Sequence, residues 1–263
     1  MRIVVTGAAG LVGSAAVQHF GATGLTHRDL DITNATAVQK MIADLRPDLI
    51  VNCAVIGVDE CERDPALARA VNVDGPANLA RVAPSIVHFS SNYVFDGRDE
   101  RFYATDDVPR PINEYGRTKL DGERAVAELC QRAFIIRSSW IFGRGKESFI
   151  STVHRRLRAG ERVRAVSDVW ASTTYVRDLV ESVAEIIDNN VYGLHHVVNA
   201  GVCSNETFAL DAARIVGADP QLVEPASTGE VHHTARPRYT PLLTTKPLRD
   251  WREALAAYIQ SEP

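Results

Sequence analysis

RIVVTGAAGLVGSAAVQHF, residues 2–20, carries the reading that decides the fold. Arg2 to Thr6 is a short run rich in Val and Ile and reads as a buried strand. Gly7 to Gly13 is a glycine turn, and Ser14 to Phe20 places apolar residues at helical spacing. A strand–turn–helix of this kind aims backbone N–H groups at a helix N-terminus, where they can hold a pyrophosphate. Its glycines let the backbone approach the phosphates and let the helix pack on the strand. The spacing is GxxGxxG rather than GxGxxG. Gly7, Gly10, Leu11, Val12 and Gly13 are therefore the candidate nucleotide-binding residues. About 20 residues on, where an acid for the ribose is usual, stand Asp29 and Asp31, preceded by His27 and Arg28. A guanidinium pairs well with a 2′-phosphate. Arg28 thus points to NADPH, or to tolerance of both NADPH and NADH.

Working outward, the same alternation continues. Ala37–Leu45 reads as a helix stopped by Arg46-Pro47, Leu49–Cys53 as a buried strand, and Pro65–Val82 as one long amphipathic helix. Ile86–Ser90 is a strand, Thr118–Gln131 a helix and Ala133–Arg137 a strand. Strands alternating with helices imply βαβ units and a parallel sheet covered on both faces. Beyond residue 140 the rhythm weakens. Helices are expected at 148–159, 176–189, 206–216 and 248–260, strands at 163–166 and 193–199, and irregular chain at 219–247. The expected division is 1–145 for the nucleotide-binding part and 146–263 for a smaller substrate lobe, with segments of the two free to interleave.

Composition narrows the class. The 263 residues carry 29 Lys plus Arg against 33 Asp plus Glu, a net charge of −4, which argues against a dedicated nucleic-acid binder. The cysteines Cys53, Cys61, Cys130 and Cys203 form no CxxC pair and read as reduced core thiols. The N-terminus lacks the apolar core of about 7–15 residues that a signal peptide needs. No stretch reaches the ~18 apolar residues of a membrane span. A soluble, cytoplasmic protein without a membrane partner is the expectation.

A second constellation speaks to chemistry. Tyr115-Gly116-Arg117-Thr118-Lys119 is a YxxxK pair whose two side chains share one helical face. A phenol is un-ionised at neutral pH, and a neighbouring ammonium lowers its pKa, so the Tyr can exchange a proton with a carbonyl or hydroxyl oxygen. Ser90-Ser91-Asn92 ends a strand, and ligands of open α/β sheets bind at the carboxyl ends of strands.

Glycine turn, strand-end Ser and YxxxK, in this order, resemble the extended short-chain dehydrogenase/reductases, and within them the dTDP-4-dehydrorhamnose reductases. RPDLIVNCA (46–54), VHFSSNYVFDG (87–97), NEYGRTKLDGERAV (113–126), IIRSSWIFGRG (135–145), TYVRDLV (174–180) and ARPRYTPLLTTK (235–246) carry the resemblance across nearly the whole chain. It implies a doubly wound Rossmann-type α/β fold with a small C-terminal α/β lobe, a nicotinamide cofactor and a nucleotide-activated 4-keto sugar as substrate. By this matching Ser91 polarises the carbonyl, Tyr115 donates the proton, and Lys119 lowers the Tyr pKa and holds the nicotinamide ribose. Asp31 and Ile32 would lie near the adenine, Ala54 and Val55 would line the cofactor channel, and Trp140 would flank the substrate.

The chain departs from the family pattern at four places. Asn92 stands where Asp is usual, and NCAVIGVDECE is one residue short. Residues 146–149 and 171–173 replace substrate-side segments. Ser91, Asn92, Tyr115, Trp140 and Arg236 form the candidate substrate set, with Trp170 and Arg238 as further enclosing residues. The basic run 154–158 either attracts a diphosphate or is a solvated face. His88 reads as a core residue. His195-His196 and His232-His233 are poor joint metal ligands, because neighbours in a strand point to opposite faces, and no catalytic metal is assigned. The alternatives are a non-catalytic NAD(P)-binding regulatory subunit and a reductase of another specialised sugar. A homodimer is left open.

Overall fold

The computed structural model describes residues 1–145 and 147–262. Six parallel strands form the central sheet: β1 (Ile3–Thr6), β2 (Thr23–Leu25), β3 (Leu49–Asn52), β4 (Ile86–Ser91), β5 (Ala133–Ser138) and β6 (Gly193–His196), in the order β6-β5-β4-β3-β1-β2. Eleven helices are described: α1 (Leu11–Phe20), α2 (Ala35–Leu45), α3 (Val58–Arg63), α4 (Pro65–Arg69), α5 (Gly75–Val82), α6 (Glu114–Leu129), α7 (Phe149–Arg158), α8 (Val176–Asp188), α9 (Asn205–Val216), α10 (Thr228–Val231) and α11 (Trp251–Ser261).

Alternation along the strands builds two cores. Ile3, Val5, Leu49, Val51, Val87, Phe89, Phe134 and Ile136 pack on one face with α1, α8 and α11. Val4, Ile50, Ile86, Ala133 and Ile135 face the other way, against α2, α5 and α6. This is the doubly wound Rossmann-type α/β fold. The chain leaves β1 for β2 on one side and returns to β3 on the other, so the strand order reverses between β1 and β3. Crevices at such switch points, beyond the strands' carboxyl ends, are where open α/β sheets bind ligands.

The smaller lobe is built from α7, α9 and short parallel pairs: Val163–Val166 with Val223–Ala226, and Trp170–Ala171 with Tyr239–Thr240. Trp251 is fully buried there and stacks on Phe208 at 5.7 Å. The main layer does not stop at residue 145. Strand β6 pairs with β5, and the sequence from α8 to β6 returns to the sheet from within the second region.

Besides short strands at Thr23–Leu25, Val223–Ala226 and Tyr239–Thr240 that the sequence reading did not expect, two helices differ from it. Residues 65–82 are not one helix: a π-turn at Ala70–Asp74 separates α4 from α5. Pro76 has no N–H to continue the α-helical ladder, and the wider turn absorbs the break. The helix expected from Thr118 starts at Glu114, because the Asn113 side chain caps it by accepting from Gly116 N at 2.8 Å. Among the described residues no helix is long and apolar enough to cross a membrane.

Candidate active site

The glycine turn lies at the switch point. Gly7 has φ +68°, and a Cβ there would fall 2.6 Å from Cys53 C and Ala54 N, so β1 and the chain after β3 meet at backbone distance. Gly10 caps α1 with no side-chain hydrogen bond. The first amides of a helix have no intrahelical partner, so those of Leu11, Val12 and Gly13 are available to an anion. A Cβ on Gly13 would overlap the backbone of Gly7 and Ala8. A helix start without a side-chain cap, where Gly7 and Gly13 tolerate no Cβ, fits a dinucleotide pyrophosphate. Ala54 is half-buried and donates its N–H to Asn52 Oδ1 at 3.2 Å, and Val55 is exposed.

Beyond β2 the acids are occupied. Asp29 accepts from Thr26 N and Oγ1 at 2.8 and 2.7 Å, and Asp31 accepts from Thr33 N and Oγ1 at 2.9 and 2.8 Å. These bonds hold both carboxyls below the usual range. Arg28 is exposed and forms no ion pair among the described residues. Ile32 is buried beneath Gly75.

Ser91 ends β4, and Tyr115 and Lys119 lie on the first turns of α6. Burial pushes the Tyr115 phenol up to about 12, and the nearby Ser91 hydroxyl, which donates to Asn92 Oδ1 at 3.2 Å, offsets only part of the rise. Lys119 is 2% exposed, and its Nζ donates to the Phe89 carbonyl at 2.6 Å. Burial brings its ammonium down to about 8. Among the described residues no hydrogen bond joins the Lys119 ammonium to the phenol.

A cavity of about 410 Å³ opens beside Tyr93, whose ring meets Tyr115 edge-on at 5.8 Å. Trp140 lines it, half-buried at φ +35°. Such a φ is uncommon for a bulky residue and aligns Trp140 with the cavity wall. Arg236 lines the opposite wall. Its side chain is 8% exposed, Nη2 donates to Asp59 at 2.8 Å, and Nη1 is buried with no partner among the described residues. Trp140 and Arg236 line this cavity, and Tyr93, which also lines it, meets Tyr115 through its ring and Ser91 through its backbone N–H. Asn92 is 2% exposed, and its amide is used inside the protein: Oδ1 accepts from Ser91 Oγ at 3.2 Å and Nδ2 donates to Thr240 Oγ1 at 2.7 Å.

Other candidates settle into structural places. His154 is fully buried, while Arg155 pairs with Glu147 and Arg156 with Glu161, so the basic run is largely self-compensated. His88 is buried against Asn52, and His195 and His196 bond backbone carbonyls. Lys146, part of the departing segment 146–149, lies outside the described residues. Sequence reasoning missed Asp59, Tyr93 and Asn72. Asn72 sits in the π-turn and donates to Thr118 Oγ1 at 3.1 Å, fixing α6 between Tyr115 and Lys119. Its one signal was Pro76, which breaks the helical pattern.

The RmlD substrate binding domain family matches residues 1–262. The chain belongs to this family. It is 39% identical to a dTDP-4-dehydrorhamnose reductase of Mycolicibacterium smegmatis, over 97% of this chain and 84% of that one. It is 35% identical to a dTDP-4-keto-6-deoxy-D-glucose reductase of Streptomyces niveus, over 97% and 95%. A Bacillus anthracis dTDP-4-dehydrorhamnose reductase, solved in complex with NADP, superposes with a TM-score of 0.93 at 32% identity and covers 98% of each chain.

Proposed function

We propose that the protein is an NADPH-dependent reductase of a dTDP-activated 4-keto-6-deoxysugar. The observation that carries this reading is Ser91 and Tyr115 side by side at the carboxyl end of β4, together with a glycine turn where Gly7 and Gly13 tolerate no Cβ. Gly7 and the amides at 11–13 would hold the pyrophosphate, and Arg28 the 2′-phosphate. Ala54 and Val55 would border the cofactor. When bound, the nicotinamide supplies the hydride that reduces the C4 ketone to a secondary alcohol. Ser91 Oγ would bond the ketone oxygen and orient it. Tyr115 would give its proton to the same oxygen as charge develops there, and the Lys119 ammonium would favour the phenolate left behind. A phenol held near 12 stays protonated until the substrate needs the proton, which suits an acid in the reductive direction. Trp140 offers a planar wall to the substrate, and Arg236 Nη1 a donor to its diphosphate. Asn92 would act by fixing Ser91.

Which sugar is reduced is tested by NADPH oxidation at 340 nm with dTDP-4-keto-6-deoxyglucose, with and without a 3,5-epimerase. Turnover only with the epimerase supports the rhamnose-type substrate. Turnover without it supports a second reading, favoured by the similarity to the S. niveus enzyme. No turnover in either arm refutes the proposal.

A further inference from the structure

Tyr115, Lys119 and Glu123 recur every fourth residue along α6 and so share one face. Glu123 is 5% exposed and Arg137, on β5, 2%. Arg137 grips both carboxylate oxygens, with Nε donating at 2.8 Å and Nη2 at 2.7 Å, and its guanidinium carbon stands 5.2 Å from the Phe95 ring centre. In the sheet register Arg137 lies opposite Ser90, next to Ser91. Two buried cations and one buried anion therefore stand directly behind the proposed acid.

A buried ammonium with one neutral acceptor tends to shed its proton. The only hydrogen bond of Lys119 Nζ among the described residues is to the Phe89 carbonyl. The groups that act on it from neighbouring elements are Cys53 after β3, Cys61 on α3, His88 on β4 and Glu123 on α6 itself. Burial raises both thiols and keeps His88 uncharged. Glu123 is thus the one carboxylate that supports the Lys119 charge. The Arg137 guanidinium holds both Glu123 oxygens in a bidentate, charge-assisted pair. Glu123 lies one turn beyond Lys119 on α6, and Arg137 bonds it from β5.

We infer that the buried Glu123–Arg137 pair is a positioning element whose task is to keep Lys119 an ammonium behind Tyr115. Its consequence for turnover rests on the role given to Lys119 under Proposed function; the charge state itself does not. The chain has four lysines, Lys40, Lys119, Lys146 and Lys246. Lysine-labelled carbon NMR of the cofactor-free full-length protein therefore resolves the titration of Lys119, assigned by the signal lost in Lys119→Met.

Glu123→Gln alone strands a buried guanidinium. The informative variants are Glu123→Gln with Arg137→Met, which removes both charges, and Glu123→Asp, which keeps the charge but withdraws it. The wild-type midpoint is expected at about 8. The double variant should titrate at least about one pH unit lower, a tenfold loss of proton affinity, and the Asp variant should shift by less in the same direction. The alkaline limb of kcat/KM should move with the NMR midpoint. A folded variant of either kind with the wild-type midpoint overturns the inference. Full turnover in Lys119→Met instead refutes the role of Lys119 in the reaction and leaves the NMR result standing.

Discussion

Gly13→Ala separates the phosphate cradle from the helix that carries it. Ala is the better helix former by about 1 kcal/mol, so propensity alone favours the variant. The turn opposes it. A Cβ on Gly13 would lie 2.8 Å from the Gly7 carbonyl carbon and 3.0 Å from Ala8 Cα, and closer still to the Gly7 oxygen. Carbon atoms pack best at about 3.5–4.0 Å, and clearing the Gly7 oxygen as well requires turn and helix to part by at least about 1 Å. Both obstacles are backbone, with no rotamer to yield. Overpacking of this kind costs about 1–3 kcal/mol, which cancels or exceeds the propensity gain. The larger effect falls on the ligand, because a displacement of ~1 Å at a positioning group costs on the order of 10²-fold. Gly13→Ala should therefore bind NADPH about 10- to 100-fold more weakly in a fluorescence titration, with a Tm unchanged or lower by a few degrees. Gly10→Ala is the control: its nearest atom is Gly7 O at 3.3 Å, which a shift of a few tenths of an ångström relieves. Wild-type NADPH affinity in Gly13→Ala would refute the assignment of the cofactor to this turn.

Three further outcomes are expected. Tyr115→Phe should keep NADPH affinity within about twofold and lose about 10²–10⁴ in kcat; unchanged turnover in a stopped assay removes the phenol from the reaction. Arg28→Ala should weaken NADPH by about 10- to 100-fold, the worth of a charge-assisted bond, and leave NADH binding unaltered; equal losses for the two cofactors would show that Arg28 does not read the 2′-phosphate. Burial lowers His196 to about 4 from 6.5. The unfolded chain thus binds the extra proton first, and stability present above pH 6.5 is lost as pH falls towards 4, by roughly 3 kcal/mol for this group. Thermal melts across that window should show the loss, and a folded His196→Gln variant with an equally steep decline would assign it elsewhere.

The sheet was largely legible from the sequence, because β1, β3, β4 and β5 are continuous apolar runs buried on both sides. The three-residue β2 was not, since its Thr23 and Gly24 are exposed and carry no apolar pattern. The 219–247 stretch hid the strand Val223–Ala226, whose partner lies some sixty residues earlier at Val163–Val166. Ser91, Tyr115, Trp140 and Arg236 were legible as motif members. What no local pattern carries is pairing across the fold. Asp59 meets Arg236 across 177 positions and Asn92 meets Thr240 across 148. Nor does spacing tell where an ammonium will turn, and Lys119 finds a carbonyl of β4.

The return of α8 and β6 to the main sheet has a consequence for biosynthesis. Until residue 196 has left the ribosome, β5 is an open edge, and the face of Phe134 and Ile136 lacks the cover of Leu179, Val180 and Val183. An uncovered edge strand beside an exposed apolar face invites pairing with another chain. The nucleotide-binding part therefore cannot finish folding until the chain through β6 has been made. A fragment cut at residue 145 should accumulate as aggregate, whereas one that continues through the end of β6 at His196 closes the sheet.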